Sequence, residues 1–79
     1  MVRVPVTSST IVSVGYDEAT LTLHVEVRRR SSGTVVYEFR GVRPEHHAAL
    51  MAAPSIGRHF ARHIVGRYVE SRRLEEAST

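Results

Sequence analysis

The residues best suited to chemistry lie in the segment RHFARHIVGRYVESRR, residues 58–73. Two histidines in it, His59 and His63, are four residues apart, a spacing at which a helix brings two imidazoles close enough to share a metal ion. His46 and His47 precede them in the chain and could approach them. However, no acid completes an HExxH pattern, and the chain has no cysteine. The sequence therefore predicts no metal site.

Arginine supplies the other binding chemistry. On a helical wheel, Arg58, Arg62 and Arg73 fall on one side. Because a guanidinium makes paired hydrogen bonds with phosphate, this face predicts contacts with an RNA backbone. An ordinary solvated helix face is the alternative interpretation. A second group, Arg28, Arg29 and Arg30, ends a predicted strand, where it would either grip phosphate or keep the strand end from pairing with another chain.

Catalysis is not predicted. Ser8, Ser9 and Asp17 could be combined with the histidines into a nominal triad, but the chain has no nucleophile elbow. Gly-rich phosphate loops are also absent, and Ser55-Ile56-Gly57 is better explained by the capping and close packing of a helix. A chain of 79 residues is barely long enough to enclose a substrate pocket. We expect a protein that is not an enzyme and needs no cofactor.

The composition indicates one small globular domain, with 79 residues of which 42% are hydrophobic and 24% charged. No apolar run approaches the roughly 20 residues of a membrane helix, and the N-terminus lacks the apolar block of a signal peptide. We expect a cytoplasmic protein without a membrane partner. The formal net charge is +3, and all eleven basic residues are arginine. Two explanations fit the absence of lysine. Either arginine is selected because it binds phosphate well, or the codons of a GC-rich genome favour arginine whatever its role.

Strands followed by helices must position these residues. Residues 21–27 alternate strictly, which predicts a half-buried strand with Leu23 and Val25 facing the core. TIVSVGYD and TVVYEFRGV predict a strand before and after it, with the SSG turn closing a hairpin. The opposite face, which carries His24 and Glu38, is expected to be solvated.

The hydrophobic period changes at Val42. Pro44 is expected in the first turn of one helix, and Ser55 is expected to cap a second helix that runs from Ile56 to about Leu74. The apolar arc of the second helix comprises Ile56, Phe60, Ala61, Ile64, Val65 and Tyr68. The predicted fold is α+β, with a three-stranded antiparallel β-meander packed on one face by two C-terminal α-helices.

The order of these segments resembles the KTSC domain. The segments that carry the likeness are SSTIVSVGYD, LTLHVEV, VVYEFRGV, LMAAPSIGRHF and IVGRY. This short module is named for its occurrence at the C-terminus of some lysyl-tRNA synthetases, and the chain resembles its free-standing bacterial or phage form. The family's central Tyr-x-Tyr appears here as Tyr37-Glu38-Phe39, and its Tyr-Phe-Asn run appears as His59-Phe60-Ala61, so one hydroxyl and one amide are missing. The likeness implies RNA binding.

The family-motif residues are expected to be core residues rather than base-stacking ones, since the sheet face that carries the aromatics must pack on the helices. These residues are Tyr37, Phe39, Ser55, Gly57 and Phe60. Arg67 and Leu74 continue the apolar arc of the second helix beyond the length that a three-stranded sheet can cover. An uncovered stretch of this kind predicts a homodimer interface. The expected divisions are a lead-in over 1–7, a domain over 8–74 and a frayed tail over 75–79.

Two functions follow from these residues. The first is a non-catalytic module that binds structured RNA through arginine–phosphate contacts. The alternative is a protein-interaction adaptor, for instance a phage-encoded one, that docks on a larger enzyme. The sequence identifies neither the RNA nor the protein partner.

Overall fold

A computed structural model describes residues 1–68 together with the backbone of residues 70–75. The strands are β1 (Arg3–Pro5), β2 (Ile11–Asp17), β3 (Thr22–Arg28), β4 (Thr34–Arg40) and β5 (Glu70–Glu75). The helices are α1 (Pro44–Ala52) and α2 (Ile56–His59), and α2 continues as a π-helical turn over Phe60–Ile64. The fold is α+β, as the sequence predicts. Within the described part of the chain, no helix is long and apolar enough to cross a membrane.

The sheet has five antiparallel strands in the order β1-β2-β3-β4-β5, so the prediction of three strands is wrong in number. The three predicted strands form its centre. Strand β1 comes from the lead-in and pairs along β2, with Pro5 opposite Ser13. A proline is tolerated there because β1 is an edge strand, whose outer N–H groups need no partner in the sheet.

Strand β5 replaces the last part of the predicted second helix. The helix ends at Ile64 rather than near Leu74, and residues 70–75 pair with β4, where Leu74 is opposite Val36. A helix over these residues would have left the backbone N–H and C=O groups along that edge of β4 without partners in the sheet. Tertiary pairing therefore overrides the helical pattern.

The core lies between the sheet and the helices. Its buried residues are Ile11, Val14, Leu23, Val25, Phe39, Val42, Leu50, Phe60 and Ile64. The prediction that Phe60 faces the Leu23/Val25 and Tyr37/Phe39 surface is confirmed, because its ring meets the Phe39 ring edge-on at a centroid distance of 5.8 Å. The predicted burial of Ala61 and Val65 is wrong, since both are exposed.

Ala61 and Val65 lie at the edge of the predicted arc, about 100° and 140° from Phe60 on an α-helical wheel, and the helix also changes its geometry after Phe60. The Val65 amide donates to the Phe60 carbonyl at 2.9 Å, an i→i+5 hydrogen bond that widens the turn. Each residue then advances by less than the 100° of an α-helix. A wheel drawn with α-helical spacing consequently misplaces the residues that follow Phe60.

The second face of the sheet is partly enclosed, not solvated as predicted. Glu38 is 7% exposed, and Ser13 and Thr22 are also buried. Nε2 of His24 lies 3.1 Å from Oε2 of Glu38. Glu26 accepts hydrogen bonds from Ser13 at 2.7 Å and Thr34 at 2.8 Å. These two bonds, that from Ser13 first, hold the pKa of Glu26 below its ordinary value against the opposing effect of burial. This face is a structural polar network.

Candidate nucleic-acid interface

The helix over residues 56–64 presents two arginines outward. Ser55 caps its first turn by accepting a hydrogen bond from the Arg58 amide at 3.3 Å. Phe60 and Ile64 turn inward to the core, whereas Arg58 and Arg62 are exposed. Since the inner residues fix the rotation of the helix, the two guanidinium groups start from a rigid backbone.

Arg73 does not belong to this face, which corrects the predicted three-arginine cluster. It lies in β5, where it pairs in register with Tyr37. Arg67 is exposed in the turn that follows the helix. The predicted homodimer interface joined Arg67 and Leu74 along one continuous helix, so its structural basis disappears once the helix ends at Ile64.

Three adjoining clefts lie around the helix over residues 56–64, which we call the exposed helix. The hydroxyl cleft, of about 260 Å³, is lined by Thr7, Ser8, Ser9, Thr10, Pro54, Ser55, Ile56, Gly57 and Arg58. The middle cleft, of about 240 Å³, is lined by Ala53, Pro54, Ser55, Arg58, His59, Arg62 and His63. The histidine cleft, of about 160 Å³, is lined by His46, Ala49, His59, His63, Ile64 and Arg67. Shared lining residues make the three clefts one continuous surface, which we call the basic helix surface.

Among the residues whose side chains the structure describes, no acidic residue lines any of these three clefts. The lining combines three arginines and three histidines with five hydroxyl side chains. Such a surface offers many hydrogen-bond donors and no fixed negative charge. It is therefore suited to an anionic ligand.

The hydroxyl cleft brings together two segments that are far apart in the sequence. The Ser8 hydroxyl oxygen accepts hydrogen bonds from the amides of Thr10 and Ile11, both at 3.1 Å. The Ser55 oxygen likewise accepts from the Arg58 amide. Because a hydroxyl that accepts still has its own proton to donate, both side chains retain a donor for a ligand oxygen. The two segments are in contact at Gly57, where a Cβ would lie 3.4 Å from the Thr10 side chain, an ordinary contact distance.

The histidine cleft lies between α1 and the exposed helix. The rings of His59 and His63 have centroids 4.5 Å apart, as expected for an i, i+4 pair. Among the described residues, no group of three or more histidine and acidic side chains has the geometry to hold a metal ion. Burial lowers the pKa of His59, and the neighbouring His63 and His46 lower it further.

Hydrogen bonds and ring stacking anchor α1 beside this cleft. The Tyr68 hydroxyl contacts Nδ1 of His46 and accepts a hydrogen bond from the Arg43 amide at 3.3 Å. On the other side of α1, His47 stacks on Tyr16 with ring centroids 4.4 Å apart. The Tyr16 hydroxyl donates to the Val42 carbonyl just before the helix. Tyr68 thus contacts His46 directly, and Tyr16 holds the helix that carries it.

The arginines of the β3–β4 hairpin have different roles. The Arg28 guanidinium donates to the carbonyl oxygens of Ser8 at 3.1 Å and Ser9 at 3.2 Å. Its amide also donates to the Thr10 carbonyl at 2.8 Å. Arg28 therefore holds the 8–10 turn against the hairpin and supports the hydroxyl cleft from behind. Arg30 lies exposed in the loop.

We expect Arg28→Ala to lower stability by about 1 kcal/mol, because it removes two charge-assisted hydrogen bonds at an exposed site. In a domain of this size that change corresponds to a melting temperature lower by about 4–8 °C. Arg30→Ala is the matched control and should leave the melting temperature unchanged. Thermal unfolding followed by circular dichroism measures both, and equal melting temperatures for the two variants would contradict a structural role for Arg28.

The family assignment rests on most of the chain. The sequence profile of the KTSC domain matches residues 7–68. The chain belongs to the KTSC domain family. It is 45% identical over 60 residues to an uncharacterized protein from Stutzerimonas stutzeri (strain A1501), a match that covers 76% of this chain and 79% of that protein. It also resembles the crystal structure of a KTSC domain protein from Yersinia pestis, with a TM-score of 0.76, 32% identity and coverage of 96% and 97% of the two chains.

The KTSC motif residues divide into two groups in this structure. Phe39 and Phe60 are buried, as predicted, and Tyr37 is partly buried against the same core. Ser55 is exposed and Gly57 is half-buried, so the prediction of a core position is wrong for Ser55 and too strong for Gly57. These two residues instead line the hydroxyl cleft. The KTSC motifs thus contribute to both the core and the candidate surface.

Sequence reasoning misses several residues of the surface. Thr7–Thr10 come from a segment far from residues 58–73, and their approach depends on the packing of the turn before β2. No spacing in the sequence links these two segments. The expectation that His46 could approach His59 and His63 is confirmed, since the three line one cleft. The sequence does point to Arg67, but as part of a dimer interface.

Proposed function

We propose that this KTSC domain is a non-catalytic RNA-binding module that contacts the phosphate backbone through the basic helix surface. The observation that carries the proposal is the continuity of the three clefts, which together expose Arg58, Arg62 and Arg67 with no acid among their described lining residues. The implied RNA-binding role of the family gives further support.

The chemistry of this surface favours backbone contacts over base recognition. Arginine and hydroxyl donors match phosphate oxygens, and phosphate contacts position a nucleic acid without reading its sequence. The large aromatics of the KTSC motif do not form a stacking platform, because Phe39 and Phe60 are buried in the core. The module should therefore prefer structured RNA by shape and charge, with weak sequence selectivity.

The test is charge reversal on the exposed helix. Arg58→Glu together with Arg62→Glu should weaken binding to structured RNAs of unrelated sequence by a similar factor. The slope of log affinity against log salt should also flatten by about one unit for each phosphate that the protein no longer neutralises. Fluorescence anisotropy over about 50–200 mM salt measures both quantities. Stability should be unchanged, since both side chains are exposed.

The hairpin provides a matched control with the same change in charge. Arg29→Glu with Arg30→Glu should affect RNA binding less than the helix pair does. If the helix variant binds RNA as well as the unmodified protein, the basic helix surface is not the RNA-binding face. If the unmodified protein shows no salt-dependent RNA binding, the proposal fails and the protein-interaction alternative takes its place.

A further inference from the structure

The histidine cleft has a composition that the rest of the basic helix surface lacks. Ala49 and Ile64 contribute apolar lining, while His46, His59, His63 and Arg67 supply ring nitrogens and a guanidinium. Three of the chain's five histidines thus meet in one cleft of about 160 Å³. Near neutral pH, Arg67 carries the fixed positive charge of the lining.

His46 is held in a defined orientation. The Tyr68 hydroxyl accepts from the Arg43 amide and contacts Nδ1 of His46. This contact engages one ring nitrogen of His46 and leaves Nε2 as the nitrogen that can contact a ligand.

Protonation would change the charge of the cleft more than that of any other described surface. The ring centroids of His59 and His63 lie 4.5 Å apart, and His46 lies across the cleft on α1. The other charged groups around it are Arg58 and Arg62 on the same helix and Arg67 in the following turn. Among the described side chains, the nearby acid is Glu45, beside His46 on α1, and Arg43 Nε already donates to its carboxylate at 2.9 Å.

An anion would relieve the repulsion among these groups. The pKa of His59 is lowered by burial and by His63 and His46, so folding without an anion favours its neutral form. Stability attributable to this group is therefore present above its ordinary pKa and is lost as the pH falls below that value. A bound tetrahedral oxyanion reverses the effect by pairing with the protonated rings.

We infer that the histidine cleft is an acid-dependent phosphate site, in which protonated His59 and His63, together with His46 and Arg67, hold a tetrahedral oxyanion. The identification of that anion as an RNA backbone phosphate rests on the proposed function. Binding of a free oxyanion does not depend on it. RNA binding should then strengthen as the pH falls through the range in which the histidines titrate.

The first experiment uses inorganic sulfate, whose charge is constant over this pH range. Imidazole resonances of the full chain are followed by NMR during sulfate titrations near pH 5.5 and pH 7.5, on either side of the ordinary histidine pKa of about 6.5. We expect sulfate to bind roughly tenfold more tightly at the lower pH, with the largest shifts at His59 and His63. His59→Gln with His63→Gln should remove this difference.

His24→Gln is the control variant, because His24 lies on the opposite face of the sheet beside Glu38. It should retain the pH dependence, which separates the cleft from the general gain of positive charge in acid. A spectrum with native dispersion confirms that each variant is folded. Equal sulfate affinity at the two pH values, or a pH dependence that survives the double substitution, would overturn the inference.

The second experiment separates this inference from the proposed function. RNA affinity is measured at the same two pH values for the unmodified protein and the His59/His63 double variant. Loss of the acid enhancement in the variant supports a backbone phosphate as the ligand. Acid-dependent sulfate binding without any RNA binding supports the oxyanion site but shows that its ligand is not an RNA phosphate. RNA binding without acid-dependent sulfate binding rejects the site and retains the proposed function.

Discussion

Phe60→Ala is expected to destabilise the domain by about 3–5 kcal/mol, the range for removal of a large aromatic from a core. Phe60 is 7% exposed and packs edge-on against Phe39 within the main core cluster. Alanine would leave a cavity between helix and sheet and remove an aromatic interaction. Domains of this length have a total stability of about 4–12 kcal/mol, so the variant should be largely unfolded or close to it.

Urea unfolding followed by circular dichroism measures this destabilisation. Val65→Ala is a matched control, because Val65 is 52% exposed although an α-helical wheel places it in the same apolar arc. It should change stability by less than about 0.5 kcal/mol. A urea midpoint for Phe60→Ala that equals that of Val65→Ala would mean that the helix docks by another face.

Gly66→Ala is expected to destabilise the domain by about 1–3 kcal/mol, the usual cost when an added methyl group forces the backbone to shift. A Cβ at Gly66 would lie 2.7 Å from the carbonyl oxygen of Arg62, closer than nonbonded atoms tolerate. Since the clash is with backbone, relief requires the chain to shift where it leaves the helix. The predicted helix to Leu74 gives the opposite sign, because alanine is favoured over glycine inside a helix by about 1 kcal/mol.

The sign of this effect therefore distinguishes the two structures of the C-terminal segment. Gly57→Ala serves as the control, since a Cβ there meets the Thr10 side chain at 3.4 Å and needs little adjustment. Its melting temperature should stay close to that of the unmodified protein. A Gly66→Ala variant with a raised melting temperature would favour the long helix and contradict the turn that leads into β5.

The alternation of apolar and polar residues predicts the central strands because each strand turns one face toward the core. Leu23 and Val25 in β3, with Phe39 opposite Leu23 in β4, carry a period that no helix shares. The same reasoning fails after Ile64. Residues 70–75 have no strong alternation, and their strand conformation comes from pairing with β4. A preference imposed by a distant partner leaves no local pattern to read.

The candidate surface is predictable in part for a similar reason. Arg58 and Arg62 are exposed because Phe60 and Ile64 are inward, which is local information. Arg73 falls on the same face only along an uninterrupted helix, and the π-helical turn and Gly66 break that continuity. The clefts themselves depend on long-range packing, as the hydrogen bonds of Arg28 with the 8–9 carbonyls illustrate.

The strand order has a consequence for how this module can be joined to other domains. The strands follow one another across the sheet in chain order, so β1 and β5 occupy opposite edges. Four interstrand spacings of about 4.8 Å place these two strands roughly 20 Å apart. Insertion into a loop of a host protein requires an entry and an exit that are close together. A module entered at one edge of its sheet and left at the other is better suited to end-to-end fusion with a neighbouring domain.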